Sequence, residues 1–237
     1  MVYFFGDSGN EPILFLHGWG SSSHAFFCLK NFFEKRYYLI MPDFSGFGDA
    51  PAPKRAMSVE DYARETIELL NKLNLKKVHI VCHSFGARVA IKINALWPEL
   101  IDKLVIVGGA GMKPRRSLLT RFKIWRYKRQ KRKRAKLGLP PPAVKAGSDY
   151  ASVSGVMRET FVKVVNENQE KEAKQILAET LLVWGEKDKD TPLYMAKRLR
   201  KLIKKSKIIV YKNSGHFCYL ENLTDFCYDI SKFLLGE

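Results

Sequence analysis

Residues 78–97 read VHIVCHSFGARVAIKINALW, and a change of period falls inside them. Val78 to Cys82 is a short apolar run with the composition of a strand buried on both faces, and Phe85 to Trp97 reads as the helix behind it. Ser84 sits at the junction. A serine in such a turn has its hydroxyl pushed out at the carboxyl end of the sheet, and it needs small neighbours because strand and helix backbones pass close together. Gly86 meets that need, whereas Cys82 stands where the pattern asks for glycine. Taken alone, Cys82-His83-Ser84-Phe85-Gly86 also fits an ordinary helix capped by a serine.

Outward from this stretch, apolar runs of strand length recur at Ile13–Leu16, Tyr38–Met41, Leu104–Val107, Leu181–Trp184 and Ile208–Tyr211. Helical patterns fall between them, near His24–Glu34, Ser58–Leu73, Pro192–Lys204 and Thr224–Leu235, with Ser58 and Asp61 spaced as an N-terminal cap and Pro192 suited to a first turn. Strands alternating with helices predict an α/β protein with a mostly parallel central sheet. The alternation breaks once. Residues 112–178 separate two strands and read as an insertion, so that 1–111 and 179–237 form one core. The insertion holds the stiff Pro140-Pro141-Pro142 run, a bend near Gly138–Gly147 and a helical pattern from about Ser154 to Asn166.

Two later loops supply partners for Ser84. Leu181–Trp184 is followed by Gly185-Glu186-Lys187-Asp188, and Ile208–Tyr211 by Asn213-Ser214-Gly215-His216-Phe217. The chain order Ser, Asp, His, each at the carboxyl end of its own strand, is the order that the strand–serine–helix motif requires. Neutral serine is a poor nucleophile; an imidazole accepts its proton, and a carboxylate fixes the tautomer. Asp188 is the expected acid, with Asp190 left to cap the following helix. Leu16-His17-Gly18-Trp19-Gly20 is the matching loop for an oxyanion hole, whose expected donors are the backbone amides of Trp19 and Phe85. His17 is read as a buttress of that loop, and His83 as facing away from the serine hydroxyl.

Together these residues resemble the α/β-hydrolase superfamily, in particular its small capped esterase-like and carbon–carbon-bond hydrolase members. The resemblance runs through His17–Gly20, Pro42-Asp43-Phe44-Ser45-Gly46-Phe47-Gly48, Cys82–Gly86, Trp184–Asp188 and Gly215-His216-Phe217, nearly the whole chain outside the insertion. It implies the α/β-hydrolase fold with a helical cap inserted after the sixth strand. It also implies ester cleavage through an acyl-Ser84 intermediate, with thioester, amide or carbon–carbon cleavage, or a non-catalytic ligand-binding role, as alternatives on the same scaffold. The set asks for no metal and no organic cofactor. The chain departs from the family at Cys82, in an N-terminus with room for one strand before the oxyanion loop where relatives often have two, and in the composition of the cap.

That composition is extreme. Thirteen of the 41 Lys and Arg, and none of the 24 Asp and Glu, lie between Lys113 and Lys136, in a chain of formal charge +17. Leu118, Leu119, Phe122, Ile124, Trp125 and Tyr127 interleave with the cations. The segment therefore reads either as a lid helix whose Phe122 and Trp125, with Met157 beyond it, line an apolar substrate pocket, or as a basic amphipathic helix for an anionic membrane surface or an acidic partner. Nucleic acid is the weaker partner class, since no nucleic-acid-binding fold accompanies the charge. The four cysteines are scattered, Met1–Phe5 with Asp7 close behind is not expected to act as a secretory leader, and no apolar stretch reaches the roughly 20 residues of a membrane span. A cytoplasmic protein with reduced thiols is the expectation.

Overall fold

The computed structural model describes residues 1–114, 118–140, 142, 150 and 152–237. Among them, seven strands form one sheet: β1 (Val2–Phe5), β2 (Glu11–Leu16), β3 (Tyr37–Pro42), β4 (Val78–His83), β5 (Ile101–Val107), β6 (Glu179–Gly185) and β7 (Ser206–Tyr211). Their spatial order is β1-β3-β2-β4-β5-β6-β7, and every pairing is parallel except β1 with β3. β4 is the central strand, and all six of its residues are buried.

Alternate residues of the strands feed two apolar layers. Leu14, Leu16, Ile80 and Cys82 face one layer, with α2 (Val59–Lys72) and α3 (Phe85–Leu96). Ile13, Phe15 and Val81 face the other. That second layer is closed by a 3-10 turn at Ser23–Leu29, the short α1 (Lys30–Phe33) and the C-terminal helix Leu223–Leu235. The apolar runs of the central strands follow from this double cover. Ser58 and Asp61 form the expected capping box at the start of α2.

Three differences from the sequence expectation have local causes. Two strands, not one, precede the His17–Gly20 loop, because the four-residue run Val2–Phe5 pairs antiparallel with β3 after a turn at Gly6. The stretch expected as one helix at His24–Glu34 is mostly the 3-10 turn. The helix expected from Pro192 begins at Tyr194, and no side chain caps it, so Asp190 does not serve as its cap.

The long connection leaves the sheet after β5, the fifth strand of this chain. The described residues divide into two compact units, 1–112 with 154–237, and 113–153. The second unit contains α4 (Leu118–Lys136). Residues 154–178, which the sequence assigns to the insertion, group with the first unit and contain α5 (Gly155–Asn166) and α6 (Glu170–Ala173). There Thr160 Oγ1 accepts from the Met57 amide at 3.0 Å, and Lys163 donates to Ala56 O at 2.8 Å. Part of the Gly138–Gly147 bend lies outside the described residues. No described helix is long and apolar enough to cross a membrane, and all four cysteines are free.

Candidate active site

β4 ends at His83, and the next residue breaks the strand sharply: Ser84 has φ +51° and ψ −109°, after which α3 begins. Non-glycine residues avoid positive φ because Cβ crowds the backbone, so this turn is held by its surroundings. The end of β5 supplies the hold. Ser84 N donates to Val107 O at 3.0 Å, and Ala110 N donates to Ser84 O at 3.0 Å. Gly86 is required on the far side, since a Cβ there would overlap the carbonyl of Leu16. Cys82, the departure from the expected glycine, is fully buried, and its thiol reaches Val105 O at 3.3 Å. Burial pushes that thiol pKa up, which leaves it an inert core group rather than a nucleophile.

Asp188 follows β6, and His216 follows β7. The two loops meet because β6 ends in Gly185, where any Cβ would collide with the carbonyls of Ser214 and Gly215. His216 Nδ1 lies 2.9 Å from Asp188 Oδ2. Asp188 Oδ1 also accepts from the amides of Asp190 and Thr191, each at 2.9 Å, and Oδ2 lies 2.9 Å from Thr191 Oγ1. Burial alone would raise the Asp188 pKa; the hydrogen bonds from His216 and Thr191 outweigh it and hold the carboxyl below its ordinary range. Trp184, fully buried on β6, anchors this loop by donating its indole N–H to Thr191 O at 2.6 Å.

Two participants, Gly108 and Thr191, carry no sequence motif, and His83 joins them from inside the Cys82–Gly86 motif. Gly108, at φ +50°, leaves the space that His216 and Asp188 occupy: a Cβ there would sit 3.1 Å from His216 Nδ1 and 3.3 Å from Asp188 Oδ2. Thr191 Oγ1 reaches Gly108 O at 2.8 Å as well as Asp188. His83 Nε2 donates to the His216 carbonyl at 3.0 Å, with its ring 4.6 Å from that of His216. Burial, then the neighbouring His216, lowers the His83 pKa to about 3, so it serves as a neutral strut. His17 is likewise neutral, its pKa lowered by burial to about 4. Its Nδ1–H donates to Gly18 O at 2.8 Å while Nε2 accepts from the Phe44 amide at 3.1 Å. That fixes the loop carrying Trp19.

Trp19 and Phe85 are neighbours, their rings 5.5 Å apart and edge to face. Phe85 is the first residue of α3, so its N–H has no intrahelical acceptor. Met157, on α5, packs over the Gly46 turn, and Phe161, one helical turn on, lies 5.1 Å from the Trp19 ring. Phe122 and Trp125 belong to the other unit, stacked on each other at 5.7 Å. Among the described residues the one cluster of metal-ligand type is Asp188, Asp190 and His216. Both Asp188 oxygens are already engaged by N–H and O–H donors, which does not suit a metal ion.

The comparisons agree with this architecture. Residues 11–139 match the family described as alpha/beta hydrolase fold, and residues 156–235 match a family described as TAP-like protein. Lipase 3 of Moraxella sp. is 27% identical over 258 residues, covering 100% of this chain and 81% of its own. The 2-hydroxy-6-oxononadienedioate/2-hydroxy-6-oxononatrienedioate hydrolase of Escherichia coli is 24% identical over 258 residues, covering 95% of this chain and 88% of its own. Among solved structures, an esterase from Exiguobacterium antarcticum superposes with a TM-score of 0.77 at 22% identity, covering 98% of this chain and 94% of that one. With a central parallel sheet, a serine turn at the end of β4 and a family match spanning more than half its length, the chain belongs to the α/β-hydrolase fold family.

Proposed function

We propose that this hydrolase-family chain cleaves a carboxylic ester of a small or medium apolar substrate through an acyl-Ser84 intermediate. The observation that carries the reading is the segment Val107–Ala110. It binds Ser84 through two backbone hydrogen bonds and seats the His216–Asp188 pair against Gly108. Nδ1 of His216 is committed to Asp188, which leaves Nε2 as the proton acceptor.

Ser84 Oγ attacks the ester carbonyl as its proton passes to His216, and the Trp19 and Phe85 amides stabilise the oxyanion. His216 then protonates the leaving alkoxide as the C–O bond breaks. A water molecule, deprotonated by His216, hydrolyses the acyl-enzyme, and the proton returns to Ser84. Asp188 stays anionic throughout. Met157, Trp19 and Phe161 form an apolar wall beside the serine turn. Residues 112–178 act as the cap on the strength of their place in the chain; Met157 supplies part of the wall beside the serine turn, whereas Phe122 and Trp125 belong to the separate unit 113–153. Free thiols throughout support a cytoplasmic setting.

The E. coli relative favours a second reading, carbon–carbon cleavage on the same triad. A fluorophosphonate probe is expected to label the wild type and not Ser84→Ala, and p-nitrophenyl esters of graded chain length are expected to turn over. Their kcat/KM should fall by about 10³-fold or more in Ser84→Ala. No labelling of the wild type, or turnover undiminished in Ser84→Ala, contradicts the enzyme reading. Labelling with no ester turnover directs attention to vinylogous diketones, where carbon–carbon cleavage is measured.

A further inference from the structure

The +17 charge is local. Outside residues 113–136 the chain carries 28 Lys and Arg against 24 Asp and Glu, close to balance. The excess is concentrated on α4, a helix of 19 residues and about 28 Å. Basic residues fill its last turn, where they complement the helix dipole. Among the described residues none of its cations forms a salt bridge with a carboxylate, although acid–base pairs occur elsewhere on the protein.

The apolar side chains of α4 are equally unusual. Leu119 is 75% exposed, Phe122 57% and Trp125 53%. At 3.6 residues per turn these three share roughly a third of the helix circumference with Arg126, Arg129 and Lys133, so one face runs from apolar to cationic along the axis. The two halves touch where the Arg129 guanidinium lies over the Trp125 ring, 5.5 Å from its centroid. A groove of about 380 Å³ follows the same helix, with Leu119, Phe122 and Tyr127 as apolar lining and Lys123 and Arg126 beside them.

We infer that α4 docks on an anionic phospholipid bilayer, with Phe122 and Trp125 entering the headgroup–acyl boundary and the Lys and Arg side chains meeting lipid phosphates. Charge complementarity names the sign of the partner, and the exposed aromatics choose its class. A polyanion in water offers no apolar layer for Leu119 together with the half-exposed Phe–Trp pair, whereas aromatic residues beside cations match the layered polarity of a membrane surface. Duplex nucleic acid attracts the cations but keeps its bases in the stack, and single strands stack bases on aromatic rings but leave Leu119, 75% exposed, without a partner. The surface lies in a unit separate from Ser84, so the inference stands independently of the ester reading.

The test measures co-sedimentation of the full chain with two kinds of vesicle, phosphatidylcholine alone and phosphatidylcholine mixed with phosphatidylserine. Binding is expected to the mixed vesicles only and to weaken by about tenfold or more between about 0.1 M and 0.5 M NaCl. Replacing Lys128, Arg129, Lys131, Arg132, Lys133 and Arg134 by Gln should weaken it by about tenfold or more, while an unchanged cooperative thermal transition by circular dichroism shows that this variant is folded. Brominated lipid should quench tryptophan fluorescence in the wild type and not in Trp125→Phe, which reports insertion directly. Ser84→Ala should bind vesicles as the wild type does, so failure of the enzyme reading leaves this result untouched. The inference is overturned by equal binding to both vesicles, by wild-type binding in the Gln variant, or by quenching that persists in Trp125→Phe. Tighter binding to duplex DNA than to mixed vesicles, unaltered in Trp125→Ser, would assign the helix to nucleic acid instead.

Discussion

Ser84 occupies a backbone state, φ +51° and ψ −109°, that a side chain at this position resists. The strain is of the order of 1–3 kcal/mol and is borne by the hydrogen bonds to Val107 and Ala110. Glycine would relieve it, and alanine would not. Ser84→Gly is therefore expected to exceed Ser84→Ala in unfolding free energy by about 1 kcal/mol, after allowing for glycine's greater freedom in the unfolded chain. Urea unfolding of the two variants measures this, and a midpoint for Ser84→Gly at or below that of Ser84→Ala would show a relaxed turn. The residues that meet around this turn were unequally legible in the sequence. Ser84, Asp188 and His216 stand in a chain order tied to strand ends, so their positions could be read from spacing. Thr191, Gly108 and Gly185 could not. Each matters through the close passage of a strand end distant in sequence, and a threonine or a glycine in a loop carries no such message by itself.

At the scale of elements, the ends of β2 and β4 each bury a neutral histidine, His17 and His83, both bonded to backbone on two neighbouring loops or one. In the unfolded chain such rings titrate near the ordinary 6.5, whereas in the fold they accept a proton only near about 4 and about 3. Below about pH 6.5 the unfolded chain therefore binds protons that the folded chain refuses. Stability falls with pH through that window, by up to about 1.4 kcal/mol per pH unit for each ring, until the folded values are reached. Asp188 acts in the same direction but lower, because its depressed pKa supports the fold above the ordinary carboxylate value and that support is lost as pH falls through the folded pKa. Urea midpoints measured from pH 7 to about 5 should fall steadily, and His17→Gln should flatten the slope; a flat wild-type profile would mean the rings titrate freely. Among the elements themselves, β4, α3 and the capping box of α2 were readable because length, period and cap agree. Val2–Phe5 was not, since four residues are too few for a period and the strand exists only through its pairing with β3. The start of Tyr194–Leu202 shifted for a related reason: the preceding residues are occupied in binding Asp188 and Trp184.

At the scale of the whole molecule, both apolar clusters lie wholly within residues 1–112 and 154–237. Replacing 113–153 with a short Gly/Ser linker is accordingly expected to preserve a single cooperative thermal transition, with Tm within about 5 °C of the full chain. A broad or lost transition on calorimetry would show that the second unit supports the core. The boundary at 153 was not visible in the sequence, where residues 154–178 read as continuous with the insertion. What joins them to the first unit is a set of backbone-directed bonds to residues near Met57 and Arg88, which only the folded chain brings close. The division also bears on how such a protein diversifies. Val107–Ala110 mounts Ser84 on one side and His216 with Asp188 on the other, so any substitution there is felt by the proposed nucleophile and the proposed base at once. Residues 113–153 include none of those four positions, so substitutions in that unit leave both sets of contacts made by Val107–Ala110 intact. The 113–153 unit can therefore change sequence while Ser84, His216 and Asp188 keep their places.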